Sequence, residues 1–178
     1  FEIGKDKYRT AALSLLPGAT TLKVLEAKMF SRLSTGITHA RYYNQAARNI
    51  ACIAEILHLA EMHKIQTSIN TLAFYLIAPE SQIERGFFSK DLSKENIRIN
   101  VERRVNDHDS EHKTDKKEWF QNWFEPTLEK VDIQSISWEN ILAHVRNIDP
   151  DTGNDLCKFY DKCFQYNKIK YNDIIPEE

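Results

Sequence analysis

The stretch Thr21-Leu22-Lys23-Val24-Leu25-Glu26-Ala27-Lys28 decides how this chain is read. Aliphatic and polar residues alternate through it, as in a strand with one face against a core. A period of two puts Leu22, Val24, Glu26 and Lys28 on one face and Lys23, Leu25 and Ala27 on the other. The face that begins apolar therefore ends in a carboxylate and an ammonium, separated by one small residue. Such a pair can ligate a divalent cation and poise a water beside it. A solvated ion pair at an exposed strand end is the plain alternative.

Upstream, residues 11–16 form a second β-leaning run, and Pro17-Gly18-Ala19 lies between the two runs. Pro and Gly stand where a tight reversal wants them, so a hairpin is expected, with Ala11 facing Glu26 across it. Residues 1–4 read as the tail of an earlier strand or turn. Downstream, residues 31–36 form a loop, and a long helix is expected over residues 39–63, with Ile50, Ile53, Ala54 and Leu57 at helical spacing. Its many alanines suggest close packing on a sheet. Residues 69–78 read as a buried central strand stopped by Pro79. Beyond it, helices are expected over 93–107, 116–130, 138–146 and 155–168, with a strand at 131–137. The order β-β-β-α-β, then helices and one more strand, predicts an α/β sandwich with a mixed sheet.

Length and composition agree with one domain over residues 1–178. The chain is 42% hydrophobic, 28% charged and 11% aromatic, which excludes disorder, collagen and rod-like coiled coils. A chain of this size removes roughly 70% of its unfolded surface from water, so no disulfide or metal staple is needed. The longest apolar stretches, such as residues 50–60, are broken by charge or His well short of the roughly 18 residues a membrane span requires. No membrane association is expected. Phe1 in place of Met suggests that the numbering begins inside a longer gene product or after a processed tag. Cys52, Cys157 and Cys163 are odd in number and lack C-x-x-C spacing, as expected of free thiols in the cytoplasm. Residues 1–64 carry nine Lys/Arg against five Asp/Glu, and the remainder carries fifteen against twenty-one. A basic first third is compatible with a polyanion near it, and an acidic remainder argues against wrapping long nucleic acid.

The segment after Lys28 leads into Tyr42-Tyr43-Asn44-Gln45-Ala46-Ala47-Arg48. Gln45 and Arg48, three apart, project from one helix face, and an amide with a guanidinium near a helix N-terminus can hold a phosphate oxygen. Hairpin, E-x-K and then Y-x-x-Q-x-x-R resemble the PD-(D/E)XK superfamily of restriction-endonuclease-like nucleases, over roughly residues 1–80. The resemblance implies a mixed β-sheet sandwiched by helices, with residues 90–178 as an added, mostly helical part. It also implies Mg²⁺- or Mn²⁺-dependent hydrolysis of DNA, of restriction, repair or phage-defence type, with a homodimer possible. By position, Glu26 and the backbone carbonyl of Ala27 would bind the metal. Lys28 would assist the attacking water, and Gln45, Arg48, Tyr42 and Ser31 would serve the substrate.

The sequence departs from that pattern at Ala11, where the family carries a metal-binding Asp. Three explanations stay open: an inactivating substitution, a degenerate relative that does not cleave, or a slipped register in which Asp6 or Glu2 supplies the ligand. With one carboxylate a hard cation is held weakly, so the chain as written is expected to cleave poorly or not at all. The second expectation is a non-catalytic nucleic-acid or protein interaction module on the same fold.

Rival signals are weaker. His108-Asp109-Ser110-Glu111-His112 matches an inverted zinc-peptidase string but sits among charged residues, where a solvated linker is expected instead of a dry metal site. Arg98, Arg103 and Arg104 read as a solvated helix face paired with Glu95 and Glu102. Trp119, Phe120, Trp123 and Phe124 recur at helical spacing, as in a core or a partner-helix seam more than a base-stacking platform. His39, His58 and His63 share no metal geometry.

Overall fold

A computed structural model describes residues 2–5, 11–34, 40–107 and 113–172. Strands β1 (Glu2–Lys5), β2 (Ala11–Ser14) and β3 (Thr21–Ala27) precede helix α1 (Gln45–Met62) and strand β4 (Thr71–Ala78). Helices α2 (Glu80–Glu84), α3 (Ser89–Leu92), α4 (Lys94–Asn106) and α5 (Lys113–Trp119) follow. A π-helical turn (Phe120–Phe124) leads into α6 (Glu125–Lys130). Strand β5 (Asp132–Ser137), α7 (Trp138–Ile148) and α8 (Pro150–Asn172) complete the order. The chain is thus α/β, with the β-β-β-α-β order expected from the sequence.

The strands do not join into one mixed sheet. β1 and β2 form an antiparallel pair, and β3, β4 and β5 form a separate, wholly parallel sheet with β4 in the middle. The expected hairpin between residues 11–16 and 21–28 is not made: Ala11 is paired with Lys5, and Glu26 with Leu76. The turn itself has the expected chemistry. Ala19 N–H bonds the Leu16 carbonyl at 3.1 Å, and Gly18 holds a φ of 76°, as the third position of a type II turn requires. What defeats the hairpin is competition for the backbone around it. Gly18 N–H bonds Gln66 O, Ser68 N–H bonds Ala19 O and Asn70 N–H bonds Thr20 O. The turn therefore delivers the chain alongside residues 66–70 and into parallel pairing with β4. Glu2 lies on β1 in register with Ser14, and Asp6 lies outside the described residues.

β4 is the buried central strand that its apolar run predicts, with Phe74, Leu76 and Ala78 wholly covered. Each large side chain buried there contributes roughly 1.5–3 kcal/mol. Its even-numbered face continues Leu22 and Val24 of β3 and packs under α1, where Ala46, Ala47, Ile50, Ile53 and Ala54 are buried. Small residues let the helix approach the sheet closely. The other face of β3 carries exposed Lys23, Leu25 and Ala27, with Leu25 59% exposed. Among the described residues the helical cover over β3 is thus one-sided, where a sandwich was expected.

The long helix starts at Gln45, later than the periodicity suggests. Asn44 caps it, its side chain accepting from Ala47 N–H, and caps of this kind fix a start against a longer apolar pattern. Tyr42 and Tyr43 consequently precede the helix. At the other end of the chain, the last helix starts before residue 155: Asp149 accepts from Thr152 N–H as an N-cap and α8 begins at Pro150, with Gly153 inside it. Arg98 pairs with Glu125 at 2.9 Å, and Arg103 lies over the Tyr42 ring at 4.0 Å. Arg103 is solvent-exposed as expected, but neither Arg pairs with Glu95 or Glu102 as the sequence suggests. The packing of α4 on its neighbours supplies closer partners than its own surface does.

Candidate active site

Ligands of open α/β sheets gather at the carboxyl ends of parallel strands, and there the chain places a cluster of interlocked polar side chains. Glu26 ends β3 and Gln45 begins α1. Gln45 Nε2 donates to Glu26 Oε1 at 2.9 Å, and Lys28 Nζ donates to Gln45 Oε1 at 2.6 Å. Lys28 Nζ stands 3.0 Å from the same Glu26 oxygen, the two side chains being 10% and 20% exposed. Glu26, Lys28 and Gln45 thus form a closed triangle in which each polar group is engaged twice. A solvated ion pair at a frayed strand end would not be held in this way.

The surroundings fix that triangle. Ser34 N–H donates to Gln45 Oε1 at 2.8 Å, and the Ser34 carbonyl accepts from Gln45 N–H at 3.2 Å. Arg48 Nη2 bonds Ser34 Oγ at 3.0 Å, while its buried Nε has no hydrogen-bond partner among the described residues. Lys28 N–H continues the ladder to Ile77 O at 2.7 Å, and the Lys28 carbonyl accepts from the indole of Trp138 at 2.9 Å. In a parallel ladder, alternate residues turn both backbone groups the same way. With Lys28 facing β4, Ala27 presents its carbonyl to the open edge. Phe30, two residues on, is buried with a φ of 58°, a strained conformation for a bulky residue. Its N–H donates to buried Gln82, and its ring meets Phe164 of α8 edge-on at 4.9 Å.

Of the residues read from the sequence as site candidates, the structure unites Glu26, Lys28 and Gln45, with Arg48 joined through Ser34. Tyr42 is elsewhere engaged: its hydroxyl bonds Asp107 at the end of α4, and burial, then that bond, raises its pKa. Ser31 is exposed and makes no side-chain hydrogen bond with a described residue. Ala11 lies on β2, which touches α1 as β3 does but shares no ladder with β3. The string at residues 108–112 lies outside the described residues.

Three contributors went unread. Asn49 Nδ2 reaches Glu26 Oε2 at 3.4 Å, and its four-residue spacing from Gln45 was a legible sign of a shared face. Ser34 and Trp138 carried no such sign, because their contacts depend on how the loop and α7 return to the strand end. The region beyond residue 90 also proves to be tied to the motif-bearing part. Trp138 bonds Lys28, Phe164 covers Phe30, and Glu139 accepts from both Glu80 N–H and the Tyr160 hydroxyl.

For a divalent cation the described residues offer one carboxylate, Glu26, and the edge-facing carbonyl of Ala27. Both are the oxygen donors that Mg²⁺ or Mn²⁺ prefers, yet no cluster of three His, Cys, Asp or Glu side chains able to hold a metal occurs among the described residues. The unpartnered Arg48 Nε and the ammonium of Lys28 are suited to an anion. No helix among the described residues is long and apolar enough to cross a membrane. No family model, no curated protein and no solved structure matches the chain.

Proposed function

We infer that the end of β3 is a phosphodiester-hydrolysing site of PD-(D/E)XK type acting on DNA, crippled in this chain because Glu26 has no second carboxylate beside it among the described residues. The bridging of Glu26 and Lys28 by Gln45 carries this reading, because it joins the E-x-K pair to the helix glutamine of the superfamily pattern. Glu26 and the Ala27 carbonyl would hold Mg²⁺ or Mn²⁺, which when bound supplies Lewis acidity at the scissile phosphate. Lys28 holds its ammonium where negative charge develops, and Gln45 keeps Lys28 from swinging into solvent. Arg48 offers an unspent N–H to a neighbouring phosphate oxygen. Ala11, paired with Lys5 in the other sheet, does not face Glu26, so a lone carboxylate holds the cation weakly and turnover is low. A homodimer is the form expected for cutting both strands, and three free thiols suit a cytoplasmic setting.

The decisive experiment is nicking of plasmid by the unaltered chain at high protein concentration with Mg²⁺ or Mn²⁺, with Lys28→Ala as control. Slow, metal-dependent nicking that disappears in Lys28→Ala is the expected result. The second reading, a non-catalytic binding module, is favoured by the lone carboxylate at the site. It prevails if the unaltered chain gives no metal-dependent nicking yet retains DNA, and Arg48→Ala weakens that retention.

A further inference from the structure

A cavity of about 790 Å³ opens at the other end of α1, where Leu57, Ile65 and Leu72 line it beside Trp123, Lys64 and Lys130. At 1.5 Å per helical residue it lies roughly 20 Å from the Glu26 cluster, at the amino ends of the parallel strands. Nothing in the proposed hydrolysis uses it.

Two features of its wall are unusual for structural residues. Lys64 has a φ of 52°. It occupies the position just past the end of α1, where its N–H bonds Glu61 O at 2.9 Å and Ile65 N–H bonds Ala60 O at 2.8 Å. That is the pattern in which glycine is the usual residue, because a side chain there is strained. Strain of this kind persists where the surrounding structure imposes it, and it clusters at functional sites. Trp123 reaches the cleft from the π-helical turn Phe120–Phe124. Three residues later Pro126 lacks an N–H and crowds the preceding turn, and single π-turns of this sort recur at functional sites. The Trp123 ring leans on His58, with centroids 5.1 Å apart and planes at 36°. Neither Lys64 nor Lys130 forms an ion pair among the described residues.

An indole on an apolar wall, with two unneutralised ammoniums at the rim, fits a flat aromatic body carrying an anionic tail. We propose that this cleft binds a nucleobase bearing a phosphate, the base against Trp123 and the phosphate on Lys64 and Lys130. Glu61, on the same wall, supplies an acceptor for an exocyclic amino group. Two sources share this chemistry: a free mononucleotide, and a single strand of nucleic acid threading the cleft.

The test is calorimetric titration of the full chain with adenosine monophosphate and, separately, with a short oligodeoxyadenylate. Low salt and EDTA keep binding apart from any cation-dependent cleavage. Saturable binding of the mononucleotide assigns a free nucleotide, and binding of the oligonucleotide alone assigns a strand. Trp123→Leu is expected to weaken the affinity about tenfold, as loss of base stacking does. Lys64→Gly is expected to weaken it about fivefold while leaving the melting temperature equal or higher, since glycine relieves the backbone strain. That second variant keeps the test sound if Trp123→Leu folds poorly. No saturable binding of either probe, or an affinity within twofold of the native value in Lys64→Gly, overturns the proposal.

Discussion

Replacing Lys28 with Met removes an ammonium that stands 3.0 Å from Glu26 and keeps most of the side-chain volume. Two unit charges at that separation attract by about 1.4 kcal/mol in water and about 5.5 kcal/mol at an effective dielectric of 20. With the side chains 10% and 20% exposed, the pair sits nearer the second figure, and the cost of desolvating both charges takes back part of it. Glu26 in the variant retains only amide donors, Gln45 at 2.9 Å and Asn49 at 3.4 Å. Lys28→Met is therefore expected to destabilise the fold by about 2–3 kcal/mol, and Glu26→Gln by about 1–2 kcal/mol. The double variant should cost less than the sum, with a coupling of about 1.5–3 kcal/mol. Urea unfolding of the four proteins, followed by tryptophan fluorescence and by circular dichroism, yields that coupling if the slopes agree. A coupling below about 0.5 kcal/mol, the value of exposed pairs, would refute the reasoning. The closed triangle of Glu26, Lys28 and Gln45 would not then exist in solution, and the reading of the site would go with it.

Other consequences are open to measurement. Gly153 of α8 is buried so close to α7 that an added Cβ would lie 2.3 Å from Arg146 Cα. Gly153→Ala should lower stability by about 1–2 kcal/mol, the crowding outweighing the roughly 1 kcal/mol gained in helix propensity; a more stable variant would show that α7 and α8 do not meet there. Trp138→Phe removes the indole bond to the Lys28 carbonyl and should lower the melting temperature by about 2–6 °C, whereas an unchanged transition would separate α7 from the strand end. Burial, then the neighbouring Cys52, pushes the Tyr43 hydroxyl up to about 12. Below pH 10 both folded and unfolded chains keep that proton. Between about 10 and 12 only the unfolded chain loses it, so stability falls with rising pH by up to about 2–3 kcal/mol. Tyr43→Phe should remove that part of the alkaline loss, and an identical pH profile in the variant would count against a buried hydroxyl.

Local chemistry alone placed a good deal of this molecule. The alternation of residues 21–28, the unbroken apolar run ending at Pro79 and the spacing of Ile50, Ile53 and Leu57 gave strand, buried strand and helix. Those signals are short-range: a side chain's face follows from its position within one element. Glu26, Lys28 and Gln45 were legible for the same reason, since strand end and helix start are neighbours wherever a helix follows a strand and packs on it. Strand partnership was not legible. Leu16-Pro17-Gly18-Ala19 turns as its residues dictate, yet β3 joins β4, because residues 66–70 compete for the backbone around that turn, and no local pattern reports a competitor almost fifty residues away. The same holds for Trp138 on Lys28 and Phe164 on Phe30. Which residues carry charge, and on which face, belongs to the sequence. Which of them meet is set by how the hydrogen-bonding edges and apolar faces of distant segments are finally satisfied against one another.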